Sequence, residues 1–315
     1  MTEYDMKNNL FVSVVIITRN RPNYLKECLN RLMKQQYEPY EVIVVDSSNT
    51  METRTIVNKH ENIHYVSFCN GKNMAVSRNL GILKAKGDVV AFIDDDSFVQ
   101  DNWLSEIVKG YYENDVGGVG GRVRERNNHL FTSQSEKVGM ITDEGFQYGY
   151  FDYNKDGLLE VEWISGCNMS FKRDIIKKIG GFNHFFRVMN DQEISLRIKR
   201  IGYKIIFNPL AVIYHKKAKR DTLDRRDEEK KSLISFYFYK RNHFFIWLMH
   251  AGFKKEVLKT FLYWDFVYYF KRLSYYCFFE FLTNLLAKIS AILIYLFYCL
   301  YPYRNYLEKS KKCIT

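Results

Sequence analysis

Apolar runs alternate with helix-period stretches over the first two thirds of the chain. Phe11 to Thr18 (FVSVVIIT) is short and β-branched and fits a buried parallel strand. Arg19-Asn20-Arg21-Pro22 breaks it, and Pro22 suits the first turn of a helix in which Tyr24, Leu25, Cys28, Leu29 and Leu32 recur at helical spacing. Glu41 to Val45 predicts a second strand, ending at Asp46, and Ile63 to Phe68 a third, weaker one. Asn73 to Lys86 predicts a helix closed by Gly87. Val89 to Ile93 (VVAFI) is a fourth strand and runs directly into Asp94-Asp95-Asp96. Gly117 to Arg124 fits a strand at an edge of the sheet. From Asn127 to Glu160 the pattern is lost, over a stretch longer than an ordinary connection. Order returns at Val161 to Phe171, followed by helices at Arg173 to Ile179 and Asp191 to Ile201. Two short strands, Tyr203 to Phe207 and Ala211 to Tyr214, then flank Pro209.

Strands alternating with helices imply right-handed crossovers and an α/β fold with a mainly parallel central sheet. Ligands of such sheets bind at the carboxyl ends of the strands, where Asp46 and the Asp94–Asp96 cluster both fall. After His215 the composition changes. Lys216 to Lys231 is a run of mixed charge that fits a helical linker. Aromatic-rich segments follow at Phe236 to Phe245, Phe261 to Phe270, Tyr275 to Phe281 and Ile292 to Tyr303. The chain therefore divides into a catalytic-type domain, residues 1–220, and a C-terminal aromatic-rich helical region, residues 221–315.

The uncharged window between Lys288 and Arg304 falls short of the ~20 residues that cross a bilayer, because Glu280 and Lys288 interrupt any longer segment. Interfacial helices suit this region better, with aromatics at the headgroup boundary and Lys and Arg against anionic lipid. The alternative is a packing or oligomerisation module whose aromatics are core. A net charge of +11 calls for an anionic partner and favours the membrane surface. No nucleic-acid motif accompanies the basic and aromatic residues, so nucleic acid is not expected. The six cysteines are scattered singly, without a Cys-x-x-Cys pair, which argues against a zinc ribbon or a disulfide framework and for a reduced, cytosol-facing protein. Met1 to Leu10 carries charges where a secretory signal needs an apolar stretch.

Three constellations carry chemistry. Adjacent carboxylates at Asp94, Asp95 and Asp96 repel one another unless a cation or hydrogen bonds offset the cost. As hard oxygen ligands they suit Mn²⁺ or Mg²⁺ with a substrate diphosphate, although a solvated acidic turn would read the same way. Asn190-Asp191-Gln192-Glu193 places carboxylates in a first helical turn, where one could serve as a general base. His215, at a strand end, could complete a metal site or be structural.

Taken in order, VSVVIITRNRPNYLKECL, EVIVVDSS, NMAVSRNLGILKAKGDVVAFIDDD, ISGCNMSFKRDIIKKIGGF, NDQEISLRIKRIGY and IYH resemble the inverting family-two glycosyltransferases of GT-A fold, of the rhamnosyltransferase-like kind that build polysaccharides or lipid-linked glycans. The resemblance covers Val12 to His215. It implies a nucleotide-sugar donor held by Asp46, Arg78, Asp94 and Asp95, and a Mn²⁺ or Mg²⁺ ion on Asp94, Asp96 and His215. It makes Asp191 the catalytic base and puts Trp163, Gly166, Asn168 and Glu193 near a glycan or lipid-linked acceptor. Asn190 departs from the Glu that often precedes the catalytic Asp, which leaves Glu193 as the fallback base. Ser235 to Arg241, followed by Asn242, resembles a Tyr-rich Arg-Asn segment of lipid- or polysaccharide-directed members, which implies the cytoplasmic face of the cell membrane. The competing readings are an inactive glycosyltransferase-like scaffold and a sugar nucleotidyltransferase, which would need a glycine-rich loop that Thr18 to Pro22 lacks.

Overall fold

The computed structural model describes residues 9–60, 62–68, 73–125, 137–186, 188–216, 233–252, 275–300 and 305–311. The expected linker, the boundary at 220/221, the aromatic segment 261–270 and the first part of the 127–160 stretch lie outside the described residues.

The strands are β1 (Val12–Thr18), β2 (Tyr40–Asp46), β3 (Ile63–Ser67), β4 (Val89–Asp94), β5 (Ser97–Val99), β6 (Val116–Glu125), β7 (Met140–Ile141), β8 (Gln147–Tyr148), β9 (Leu159–Glu160), β10 (Asn168–Lys172) and β11 (Lys204–His215). The main sheet runs β3-β2-β1-β4-β10-β6-β11-β5, with β9 on β11, while β7 and β8 form a separate hairpin. β3, β2, β1 and β4 are parallel, β10 is antiparallel to both β4 and β6, and β11 is parallel to β6. The carboxyl ends of β1, β2, β4, β6 and β11 therefore share one edge, and β10 begins there.

The helices are α1 (Pro22–Leu32), α2 (Glu52–Val57), α3 (Met74–Lys84), α4 (Trp103–Lys109), α5 (Arg173–Lys178), α6 (Asn190–Arg200), α7 (Leu233–Ala251), α8 (Tyr275–Leu300) and α9 (Tyr306–Lys311). Alternate strand residues divide between two cores, as pleating requires. Val12, Val14 and Ile16 of β1 pack with Leu25, Leu29 and Trp103 under α1 and α4. Val15 packs with Leu80, Ile175, Ile194 and Ile198 under α3, α5 and α6. Burial on both faces explains why these strands are apolar runs rather than alternating ones.

Three expectations are corrected. β6 lies inside the sheet, between β10 and β11, and not at its edge. The two strands around Pro209 are one strand, β11, which absorbs the proline at a register shift between Asn208 and Ile213. Glu280 and Lys288 do not break α8: Phe279–Leu300 is 22 residues long and, by length and composition alone, apolar enough to cross a membrane.

A third core joins α7 and α8 to α6: Phe244, Phe245 and Trp247 meet Phe186, Leu196, Ala291 and Tyr295. The facing of α8 is inverted. Asn284 and Lys288 are buried on its inner side, with Lys288 Nζ 5.9 Å from the Phe244 ring, while Leu282, Leu286, Ile289, Leu293, Leu296 and Leu300 face outward and exposed. At the far end of the described chain, α9 seats on the catalytic-type domain. The amides of Tyr306 and Leu307 donate to Gly180 O, and Ser310 Oγ lies 2.8 Å from His184 Nε2.

Two core features make testable demands. Gly121 of β6 leaves no room for a side chain, because a Cβ there would overlap the carbonyl oxygen of Ala211. Gly121→Ala should lower stability by about 1–3 kcal/mol, read by chemical denaturation. Glu193 and Arg197, one turn apart on α6, form a wholly buried ion pair with Nε to Oε1 at 2.8 Å. Removing one partner strands a charge in the core, so Glu193→Ala should cost about 3–5 kcal/mol, whereas an exposed control such as Lys309→Ala should stay within about 0.5 kcal/mol.

Candidate active site

The parallel register sets Thr18 beside Asp46 and Ile17 beside Asp94, bringing the ends of β1, β2 and β4 together. Asp46 is buried. Its Oδ1 accepts from the Ser48 amide (2.8 Å) and its Oδ2 from the Tyr65 hydroxyl (2.7 Å). Burial, reinforced by that bond to Asp46, pushes the Tyr65 hydroxyl up to about 12, so it remains a donor. The first two crossover loops also clasp one another. Asn20, at φ 53°, accepts from the Asn49 amide at 3.0 Å and donates its own amide to Ser48 Oγ at 2.7 Å.

Beyond β4 the chain turns through Asp95 and Asp96 into β5. Asp95 points inward, with Oδ2 accepting from Thr18 Oγ1 (2.8 Å) and Oδ1 from Arg21 Nη1 (3.1 Å). Burial pushes its carboxyl up to about 7 against the opposing pull of Arg21 and Thr18. Asp96 Oδ2 lies 3.5 Å from Arg21 Nη1, and Asp96 Oδ1 lies 3.1 Å from His215 Nε2. His215 closes β11 and pairs with Ser97 just after the acidic turn, so strand pairing delivers the imidazole to the carboxylates. Asp94 faces Arg78, with Oδ1 to Nη2 at 3.7 Å, and burial raises its proton affinity above the ordinary carboxylate value. Ligand atoms of Asp94, Asp96 and His215 lie within 4.8 Å of one another. Two carboxylate oxygens and one imidazole nitrogen so grouped are a donor set that could hold a divalent cation such as Mn²⁺ or Mg²⁺.

Arg78, buried on α3, ties this cluster to the opposite wall. Its Nη1 donates to Asn190 Oδ1 (2.5 Å), its Nη2 donates to Gly166 O (2.9 Å), and its guanidinium lies 5.5 Å from the Phe182 ring centre. Gly166 in turn donates its amide to Asp191 Oδ2 at 2.9 Å, and the Gln192 amide reaches Asp191 Oδ1 at 3.1 Å. A side chain at Gly166 would crowd both Arg78 Nη2 and Asp191 Oδ2, each 3.2 Å from an added Cβ. Burial raises the Asp191 carboxyl above its ordinary value, while Arg78 and the two amides pull it back. Such a carboxylate, oriented by amides, is chemically suited to accept a proton.

The structure thus brings Asp46, Arg78, Asp94, Asp96, Gly166, Asp191 and His215 to one edge. Trp163 stands three residues before Gly166, edge-on to Phe151 at 4.7 Å, with its amide donating to Gly139 O of the hairpin segment. Two expected acceptor residues are buried and engaged by protein instead of facing the open edge. Asn168 is fully buried and engaged by protein: its Nδ2 donates to Arg122 O and Ala211 O, and its Oδ1 accepts from Trp103 Nε1. Glu193 is also fully buried, and it faces Arg197 rather than the site. Asp95 meets Thr18 and Arg21 instead of the open edge. The residues that sequence reasoning missed are Arg21, which bridges two of the carboxylates, and Asn190, noted only as a departure, which receives Arg78. The basic residue before Pro22 was the available signal for Arg21, but it read as a strand break.

Known proteins share the family and the fold. The sequence model described as Glycosyl transferase family 2 matches residues 13–180. The chain is 29% identical over 223 residues to a glucosyl-dolichyl phosphate glucuronosyltransferase of Haloferax volcanii, covering 65% of this chain and 69% of that protein. It is 26% identical over 198 residues to the O-antigen chain rhamnosyltransferase WbaN of Salmonella anatum, covering 60% of each. Among solved structures, residues 1–349 of S. aureus TarS in complex with UDP-GlcNAc superpose with a TM-score of 0.64 at 19% identity, over 89% of this chain and 81% of that one. A mannosyltransferase from Pyrobaculum calidifontis in complex with GDP-Man and Mn²⁺ superposes with a TM-score of 0.56 at 19% identity, over 97% of this chain and 85% of that one. The fold is therefore that of the GT-A glycosyltransferases, and with more than half of its length matched, the chain belongs to glycosyl transferase family 2 and is a glycosyltransferase.

Proposed function

We propose that the protein is a metal-dependent, inverting glycosyltransferase that moves a sugar from a nucleoside-diphosphate donor to a hydroxyl of a glycan or lipid-linked acceptor. The observation that carries this reading is the convergence of Asp94, Asp96 and His215 with the Arg78–Gly166–Asp191 wall on one sheet edge. Asp46 and the clasped loops around Asn20 and Ser48 receive the nucleoside. Asp94, Asp96 and His215 hold Mn²⁺ or Mg²⁺, which when bound acts as a Lewis acid on the departing diphosphate. Arg78 adds positive charge beside the same group. Asp191, steered by the Gly166 and Gln192 amides, takes the proton of the acceptor hydroxyl. The oxygen attacks the anomeric carbon from the face opposite the diphosphate, the C–O bond to the diphosphate breaks as the new one forms, and configuration inverts in one displacement.

The acceptor class and the location rest on two supports. The Haloferax volcanii relative is named for a dolichyl-phosphate substrate. On α8, the polar Asn284 and Lys288 face protein while leucines and Ile289 face outward, the reverse of a helix that meets water. We assign residues 1–220 to catalysis and 221–315 to a helical region that lies against the cytoplasmic face of the membrane.

Purified protein with Mn²⁺, offered a panel of UDP-, GDP- and dTDP-sugars, should hydrolyse one donor slowly and should melt at a higher temperature with the matching nucleoside diphosphate. Asp96→Ala should abolish both effects. Asp191→Asn should keep the melting shift and lose turnover by about 10²–10⁴-fold. No shift from any nucleotide with either metal would sink the donor assignment.

In flotation with anionic lipid vesicles, the wild type should co-float, and Leu286→Asp with Leu293→Asp should not. Equal flotation of both would remove α8 from the membrane surface.

A further inference from the structure

The loop between Phe182 and α6 carries Asp191 into the site, and Asn73 Nδ2 anchors its start by donating to His184 O at 2.9 Å. Phe185 and Val188 expose their side chains, while Asn183 and Phe186 are buried, Phe186 with its ring 5.0 Å from that of Phe245. Met189, the last residue before α6, sits at φ 60° and ψ 25°, in the left-handed region that a non-glycine residue occupies only at a cost. Something outside the loop must hold it there.

At Phe185 and Val188 that support comes from α7. Arg241 Nη2 donates to Phe185 O at 2.5 Å, and Asn242 Nδ2 donates to Val188 O at 2.9 Å. The two side chains are locked to each other, because Asn242 Oδ1 accepts from Arg241 Nε (3.0 Å) and Nη2 (2.8 Å). Both are buried, and the guanidinium also lies 4.8 Å from the Phe238 ring centre. Two neighbouring side chains on one helix thus pin carbonyls at either end of a four-residue span, the second of them one residue before the strained Met189. The next backbone links run through Met189 O, which accepts from the Glu193 amide at 3.1 Å, to Asp191 and its bond from Gly166. A buried charged donor on a carbonyl is stronger than a neutral one and costly to leave unmade.

We infer that Arg241 and Asn242 are positioning residues for the reaction, a brace from the C-terminal helical region that fixes the loop delivering Asp191. This rests on the reading of Asp191 as the base. The brace itself is a matter of loop geometry and has its own readout. A carboxylate aimed at a hydroxyl loses much of its effect when displaced by about 1 Å, a penalty on the order of 10²-fold in turnover. The donor-side groups Asp46, Asp94, Asp96 and His215 lie on β2, β4, the turn after it and β11, outside the braced loop, so donor affinity should change far less than turnover.

Asn242→Asp keeps the shape of the side chain and removes the amide donors. Trp247→Phe, on the same helix, removes a different bond, Trp247 Nε1 to Asp143 O at 2.8 Å, and serves as the control for loosened packing. Amide hydrogen exchange at Gly166 and Gln192, the two donors to Asp191, should rise at least tenfold in Asn242→Asp and stay within twofold of wild type in Trp247→Phe. Turnover of the donor found in the panel should fall on the order of 10²-fold in Asn242→Asp. Affinity for the nucleoside diphosphate with Mn²⁺ should stay within twofold. Arg241→Lys, which keeps the charge but not the fork, covers the case in which Asn242→Asp fails to fold, and should show the same split. Unchanged exchange at Gly166 and Gln192 would overturn the brace, as would equal losses in Trp247→Phe. Full turnover in Asp191→Asn would overturn the base assignment instead, and the exchange data would still judge the brace alone.

Discussion

Everything at the carboxyl edge follows from three consecutive carboxylates placed where a buried strand ends. Left alone they would repel one another in a poorly hydrated corner. The fold answers each one differently. Asp95 is turned inward and neutralised by Thr18 and Arg21, Asp96 is set against His215 and Arg21, and Asp94 is left toward the open edge within reach of Arg78. Negative charge is thereby kept at the rim and satisfied beneath it. Arg78 then does two tasks at once, facing Asp94 on one side and carrying Asn190 and Gly166 on the other. The acidic turn and the Gly166–Asp191 wall are held at a fixed spacing by one guanidinium, whose planar fork can bond in two directions.

The parallel half of the sheet was legible because its strands are buried on both faces, and such strands must be continuous apolar runs. The placement of Asp46, Asp94, Asp96 and His215 at strand ends was legible for a related reason, as polar residues at the close of those runs. What escaped was pairing between distant segments. β10 enters antiparallel between β4 and β6, which no local pattern announces, so Gly117 to Arg124 looked like an edge. The family resemblance puts Asn168 near an acceptor, but its three partners, Trp103, Arg122 and Ala211, come from elements far away in sequence that no local pattern joins to it. Glu193 was misplaced for a reason the sequence did hold. Residues two apart on a helix point about 200° apart, so Asp191 and Glu193 cannot both face the site, and Arg197 stands one turn on to receive the second.

The C-terminal region illustrates the limit of counting charges. Glu280 and Lys288 interrupt the apolar run in sequence, yet a helix has two sides. Lys288 lies on the side that packs against α7, leaving the other side a continuous row of leucine and isoleucine. Composition records that a lysine is present; only packing records where it points.

The seat of α9 has a consequence for how the molecule is built. Its residues close over Gly180 and His184, next to α3, the helix that carries Arg78. The catalytic half of the chain thus borrows part of its enclosure from a segment far downstream. Contacts of such long sequence separation form late, because the loop they close must be ordered before they return any stabilisation. During synthesis, α3 and the β10–α6 connection emerge long before their covering helix. The contact of α9 with this face can form only once the intervening chain has been made, and it falls beside the residues that bridge the two halves of the site.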